Sequence, residues 1–437
     1  MRRMLAIIPG AALTVAFAAA AILGPISDEP GRTAVAQGDY EVWAIDQADS
    51  RPDGGGTLYI YQGSDLTATG ASTPSAEVID LGGAARTLCL EQTGSAPRRP
   101  HMFFFNSTHT HVVLAFVASG HVLFMDAAAR RPIACLDVGD QAHAAVPAPN
   151  DAYAVVANQN GKLLQRIRTD YAGNTFILEQ AATIDLTTCR TASGAPCQDM
   201  MLRPDNAPIC PIVERSSRLT FVTLRGGGLF VVDATTTPMA VVAEYDRETV
   251  APNGCGGIET RGAMYVNAGG GTAITPFRSD LYTFPLSAVS GAGATATGPK
   301  RIFSQEGRVD SHGAVLLPGD MLWLNDRAAN KVVVVDTVRD QVANEFSLAG
   351  ALSSDPAPDL IDVAPTGDWV FVTLRGLNPL TGNAPRVNNA VGATPGVGVI
   401  RVAPGGAGGE LVRIARITRT VDGMEAADPH GIGVRRK

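Results

Sequence analysis

His101, His143, His312 and His430 are four of the seven histidines in the chain, and all four fall at one position of an internal repeat. Neutral imidazole is the commonest side-chain ligand for transition metals, so several copies delivered to one point can hold copper, zinc or iron. An aspartate stands just ahead of three of them: Asp140 in GDQAH, Asp310 in DSH and Asp428 in DPH. A carboxylate placed there can accept the second ring N–H and fix the tautomer that a metal requires. Asp-x-His-Gly is also a good turn sequence in its own right. The sequence therefore carries a metal reading and a purely structural one.

What must position these side chains is the repeat. Its unit is a short apolar strand, a turn, a second apolar strand, a run closing in Asp, and a further strand, as in HAAVPAPNDAYAVVANQNGKLLQRI from His143 and HGAVLLPGDMLWLNDRAANKVVVVD from His312. Aligned copies start at His101, His143, Cys210, Cys255, His312, Leu360 and His430. Their spacing of roughly forty to seventy residues is the range of stacked supersecondary units such as propeller blades. The last copy holds one strand before Lys437, whereas YEVWAID from Tyr40, TLYIYQG from Thr57 and AEVIDL from Ala76 form a second, third and fourth strand with no first. Docking HGIGVRRK onto them completes a blade from both termini. Closing the ring in this way removes exposed sheet edges. The expectation is an all-β, seven-bladed propeller of four-stranded blades; a pair of sandwiches would not explain the split blade.

The segments VVVVDTVRDQVANEFSLAG and DLIDVAPTGDWVFVTLRG resemble the seven-bladed YVTN-type propellers, a group that includes the haem d1 and nitrous oxide reductase-like propellers. The resemblance covers essentially residues 37–437 and implies the fold more specifically than an activity. The nitrous oxide reductase-like relatives place a copper cluster on histidines at this mouth, which implies copper here. Cys210, Cys255 and Leu360 interrupt a full histidine ring, and no Cys/His/Met-rich electron-transfer domain follows. At most a mononuclear or small copper site is implied, with zinc, iron or no metal as the alternatives.

Residues 1–36 read as a secretory signal, with Arg2 and Arg3, an apolar stretch from Leu5 to about Leu23 and a small-residue site at Ala34-Val35-Ala36. An uncleaved anchor is the alternative, because the stretch is long enough to span a bilayer. The expected location is periplasmic or secreted, with no membrane attachment after cleavage. Net charge is −7, and no Lys/Arg cluster marks a groove, which argues against nucleic acid. With 45% hydrophobic and 18% charged residues, the chain can bury a large core as a single monomeric domain over 37–437.

An even six cysteines in an exported chain favour disulfides. Cys189 and Cys197 flank a short polar loop, Cys210 and Cys255 begin adjacent blades in one register, and Cys89 and Cys135 remain, both assigned to fourth strands. If Cys210 and Cys255 stay reduced, they become thiolates beside the histidines, a mixed site suited to Cu(I) or Zn(II).

On the same face the second strands end in Asn158, Arg225, Asn267, Asn325 and Arg375, and His121 opens a third strand farther out. Arg225 and Arg375 share the sequence FVTLRG and can clamp a carboxylate or phosphate, or else pair with neighbouring acids. Asn158, Asn325 and His121 complete the candidate substrate contacts. His109 and His111 fall at a turn on the opposite face, where alternation points both to one side as either a separate weak metal pair or a solvated turn, and Trp43, Trp323 and Trp369 read as packing between blades. No Ser/His/Asp signature or phosphate-cradling loop is evident.

Two functions compete. One is an exported metalloprotein, copper favoured, acting in a redox reaction on a small molecule at the axial mouth. The other is a non-catalytic YVTN-type module that binds or scaffolds a protein partner there. A Ca²⁺-dependent lactonase needs an oxygen-rich axial site, which imidazoles argue against. A haem d1 domain would use His143 or His312 as axial ligand, yet no C-x-x-C-H motif accompanies it.

Overall fold

The computed structural model describes residues 40–70, 73–272, 275–289, 298–380 and 390–437. The expected leader, 1–36, lies outside them. Seven antiparallel blades surround an axis, each ordered from an inner to an outer strand. Blades 1 to 6 begin with the inner strands Pro100–Phe105, Ala142–Pro147, Pro208–Val213, Gly257–Thr260, Ser311–Leu317 and Pro358–Val363. Blade 7 is built from both termini: Pro429–Arg436 is its inner strand and pairs antiparallel with Tyr40–Asp46, followed by Thr57–Gln62 and Glu77–Asp80.

Burial explains the composition of the strands. The second strands His111–Phe116, Tyr153–Asn158 and Leu219–Leu224 are buried at every residue, because each is covered by a neighbouring blade on both faces. They accordingly read as near-continuous apolar runs. An outer strand such as Gln341–Ser347 is exposed along almost all its length and is correspondingly polar. Large side chains fill the gaps between blades. Trp43 meets Phe105 of blade 1 edge-on at 5.2 Å, and Trp323 donates its Nε1–H to the Gly406 carbonyl of blade 6 at 2.7 Å.

Two features depart from the sequence reading. Ala84–Thr93 is a helix, so Cys89 reaches Cys135 from a helix packed on the outer strand of blade 1 and not from a fourth strand. Its AARTLCLEQT sequence is too weakly amphipathic to stand out from flanking strands. His109 and His111 also diverge. His109 stacks on Phe105, whereas buried His111 bonds Asn174 through Nε2, so the two form no pair. No helix among the described residues is long and apolar enough to cross a membrane.

Neighbouring blades are tied at the axis by polar residues near the ends of second strands. Thr223 donates to the Gly254 carbonyl (2.5 Å), Asn267 to that of Gly313 (3.2 Å), Asn325 to that of Asp359 (2.6 Å) and Thr373 to that of His430 (2.5 Å). Each bond satisfies a buried carbonyl of the next inner strand and fixes the radial position of that strand.

Candidate metal centre

The repeat position shared by the histidines is a β-bulge. In blade 1 the register jumps from Pro100 to Met102 and leaves His101 extra; in blade 2 it jumps from Ala142 to Ala144 and leaves His143 extra. Blade 5 has the irregularity between His312 and Ala314, blade 6 between Pro358 and Ile361, and blade 7 sets His430 and Gly431 against Ile45 alone. An extra residue breaks the in-out alternation of a strand and re-aims a side chain. Here it turns the imidazoles toward one another at the axis. Gly313 serves the bulge after His312: its φ is 72°, and a Cβ there would lie 2.8 Å from the Asp359 carbonyl oxygen. The Asp-x-His-Gly sequence is thus a bulge within a strand, not a turn.

The rings are in contact. His101 stacks on His430 with centroids 3.8 Å apart and meets His143 edge-on at 4.6 Å; His312 meets His430 edge-on at 5.4 Å. His101, His312 and His430 are buried, and His143 is half-buried. Burial holds all four in the neutral form. His101, His312 and His430 are shifted below the ordinary histidine value, with the neighbouring imidazoles adding to the effect at His101, and His143 falls to about 3.

The tautomers follow from the partners. Gln47 donates Nε2–H to Asp428 Oδ2 at 3.0 Å, which orients its amide and leaves Oε1 to accept the Nδ1–H of His101 at 2.5 Å. The Nε2 of His101 is buried and has no partner. His430 donates Nδ1–H to the His101 carbonyl at 3.0 Å, and the Nδ1 of His312 lies against Asp359 Oδ1. With Nδ1 facing an oxygen acceptor, the neutral rings of His101, His312 and His430 present an Nε2 lone pair, the state a metal needs. His312, Asp359 and His430 bring potential ligand atoms within 4.8 Å of one another.

Asp359 is the hub of a buried ionic layer. Arg375 reaches its Oδ2 at 2.6 Å, Arg327 reaches both oxygens at 3.3 and 3.4 Å, and His430 Nε2 is 3.7 Å away. Burial opposes its ionisation, but the Arg327 and Arg375 guanidiniums hold it well below the usual carboxylate range. Arg375 also grips Asp428 with two bonds of 2.6 Å, and Arg327 grips Asp310 at 2.7 Å. Burial pushes the Asp310 carboxyl up to about 7 against the pull of Arg327, so the two guanidiniums are shared among carboxylates of unequal acidity.

These contacts correct several sequence assignments. Asp310 and Asp428 serve arginines and Gln47 instead of the histidines that follow them. Asp140 is exposed, and no bond joins it to His143 among the described residues. The carboxylate that does orient a histidine, Asp359, precedes Leu360, so a search for Asp before His misses it. Arg375 is 1% exposed and doubly ion-paired, and Arg225 is paired with Asp205 at 2.6 Å and bonded to Asn160, so neither is free to clamp a ligand. Arg327 lies in the same register and was legible from Asn325-Asp326-Arg327 aligned with Thr373-Leu374-Arg375. Asn158 and Asn325 are occupied as backbone ties to Val138 and Asp359, and His121 is held by Thr93, Ser95 and Ser119 away from the axis.

Of the three remaining ring positions, Leu360 is apolar and the other two hold sulfur. Cys210 and Cys255 form a disulfide between blades 3 and 4, alongside Cys89–Cys135 and Cys189–Cys197. Beside this pair lies a cavity of about 230 Å³, lined by apolar residues that include Met102, Phe104, Val146, Ile212, Leu360 and Ile432.

No family model matches the chain, nor does any curated protein. Among solved structures it is similar to a hypothetical selenium-binding protein from Sulfolobus tokodaii, at 10% identity over 91% of this chain and 93% of that one, with a TM-score of 0.59. It is similar as well to the periplasmic gluconolactonase PpgL of Pseudomonas aeruginosa (11% identity, 91% and 99% covered, TM-score 0.55). A putative 6-phosphogluconolactonase from Bacteroides fragilis aligns with 11% identity, 93% and 99% coverage and a TM-score of 0.54. At such identities the likeness shows the seven-bladed fold alone.

Proposed function

We propose that this chain is an exported copper-binding propeller of the YVTN kind, with the metal held at the axis by the imidazole cluster of His101, His143, His312 and His430. The observation that carries the reading is the buried, partnerless Nε2 of His101, whose tautomer is set through Gln47 and Asp428. A buried polar atom without a partner is costly unless something binds it. Clustered imidazoles accept copper, zinc and iron, and copper forms the most stable divalent complexes in the series. Bound copper supplies one-electron chemistry. The chain orients the imidazoles, balances charge through Asp359, Arg327 and Arg375, and admits a small molecule through the apolar cavity. Three disulfides support an oxidising compartment, in keeping with the signal-like residues 1–36.

Titration of metal-free protein with Cu(II), Zn(II) and Fe(II) tests this reading. The expected result is about one tightly held Cu(II) per chain, lost in His101→Ala and weaker for the other two ions; a preference for zinc or iron would reassign the metal. A second reading, a non-catalytic scaffolding propeller, draws on the internal pairing of Arg225 and Arg375. It expects no metal, unchanged stability on replacing the histidines, and a protein partner retained from periplasmic extract.

A further inference from the structure

We propose that the Cys210–Cys255 disulfide masks a second, softer metal site, which reduction opens: two thiolates, the thioether of Met102 and the imidazole of His143. The four side chains come from four inner strands or their approaches and are already gathered. Met102 Sδ lies 4.0 Å from Cys210 Sγ and 3.7 Å from Cys255 Sγ, and His143 Nδ1 lies 3.9 Å from Cys210 Sγ. His143, Cys210 and Cys255 bring potential ligand atoms within 4.8 Å of one another. Thiolate and thioether donors select Cu(I), whereas the imidazoles across the axis suit a divalent ion. His143 belongs to both sets, so the two sites share an edge. The inference is otherwise independent of the imidazole site, because its other donors are sulfurs that the first site does not use.

The surroundings fit this role. Cys210 and Cys255 are buried in an apolar cluster with Met102, Ala144 and Ile209, so neither sulfur is open at the molecular surface. Both nevertheless line the half-open cavity of about 230 Å³, which gives a small thiol a route to them. In the opening step two thiols, RSH, donate two electrons and two protons. The Cys210–Cys255 bond breaks, two cysteine thiols form, and RSSR is released. Binding of Cu(I) then displaces the cysteine protons to solvent. The other two disulfides have no comparable arrangement: Cys89–Cys135 lies in the apolar core between blade 7 and blade 1, and Cys189–Cys197 closes a short loop.

The full chain is titrated anaerobically with Cu(I) against a chromophoric Cu(I) chelator, with and without prior reduction by a thiol. Cu(I) taken up by the oxidised protein reports on the imidazole site alone. Reduction is expected to add one further equivalent per chain with sulfur neighbours in the X-ray absorption spectrum. That equivalent should be lost in C210S/C255S, which keeps the other four cysteines and so controls for them. Met102→Leu, a volume-conserving change, should weaken the added site about tenfold or more while leaving the oxidised-state binding unaltered. If C210S/C255S does not fold, Met102→Leu and the sulfur signal still decide. No added equivalent on reduction, an added equivalent that survives C210S/C255S, or Cu(I) affinity indifferent to Met102→Leu would overturn the proposal.

Discussion

At the residue scale, the centre depends on a relay from Asp428 through Gln47 to His101. Gln47→Leu removes the acceptor for Nδ1–H without touching a proposed ligand, and the expected effect is a ten- to hundredfold loss of metal affinity with the fold retained. Metal titration alongside circular dichroism checks this; unchanged affinity would mean that the relay is structural only. Asp359→Asn leaves Arg327 and Arg375 short of a buried counter-charge and should cost about 3 kcal/mol in urea unfolding. Asp362, half-buried on the blade 6 inner strand, has its pKa pushed up to about 6 by desolvation, against hydrogen bonds from the Val434 and Val363 amides. A raised carboxyl pKa means that the folded state holds the proton more tightly than the unfolded chain. Its contribution is present below the ordinary value of 3.8 and is lost as pH rises through about 6. Asp362→Asn should therefore gain roughly 2 kcal/mol at pH 8 and little at pH 4. Urea midpoints at the two pH values measure it, and an equal change at both would contradict the assignment.

At the element scale, the bulge decides what faces the axis. The sequence reading aligned the histidines because the flanking apolar periodicity is regular, and the structure brings those four rings into contact. The bulge itself was not legible, since one extra residue in a strand leaves no mark in a pattern of short apolar runs. Nor was the role of Asp359: it sits in the blade whose ring position is Leu360, and only the folded ring shows it reaching across to His312 and His430. Arg225 and Arg375 were visible as a register pair, but the acids that engage them, Asp205 on one side and Asp359 and Asp428 on the other, come from other segments of the chain, which no spacing rule reveals. Gly313→Val tests the bulge directly. A Cβ there meets the Asp359 carbonyl at a positive φ, so the variant should lose 2 kcal/mol or more, together with the tie between blades 5 and 6. Thermal unfolding reads the loss, and wild-type stability would show that the close approach relaxes freely.

At the scale of the whole molecule, ring closure joins chain termini and centre in one act. Pro429–Arg436 completes blade 7, and the same strand carries His430 onto His101 and places Asp428 under Arg375. The split blade was legible because three strands near Tyr40 lacked a first and the last repeat lacked the other three. A chain ending at Ala427 should expose the Tyr40–Asp46 edge, lose cooperative unfolding and associate on size-exclusion chromatography. The central claim concerns what the closed ring holds, and the most direct measurement is the metal content of protein exported to a copper-replete periplasm. The account predicts about one copper per chain by elemental analysis, abolished in a chain carrying both His143→Ala and His312→Ala. Metal-free wild-type protein under those conditions would contradict it.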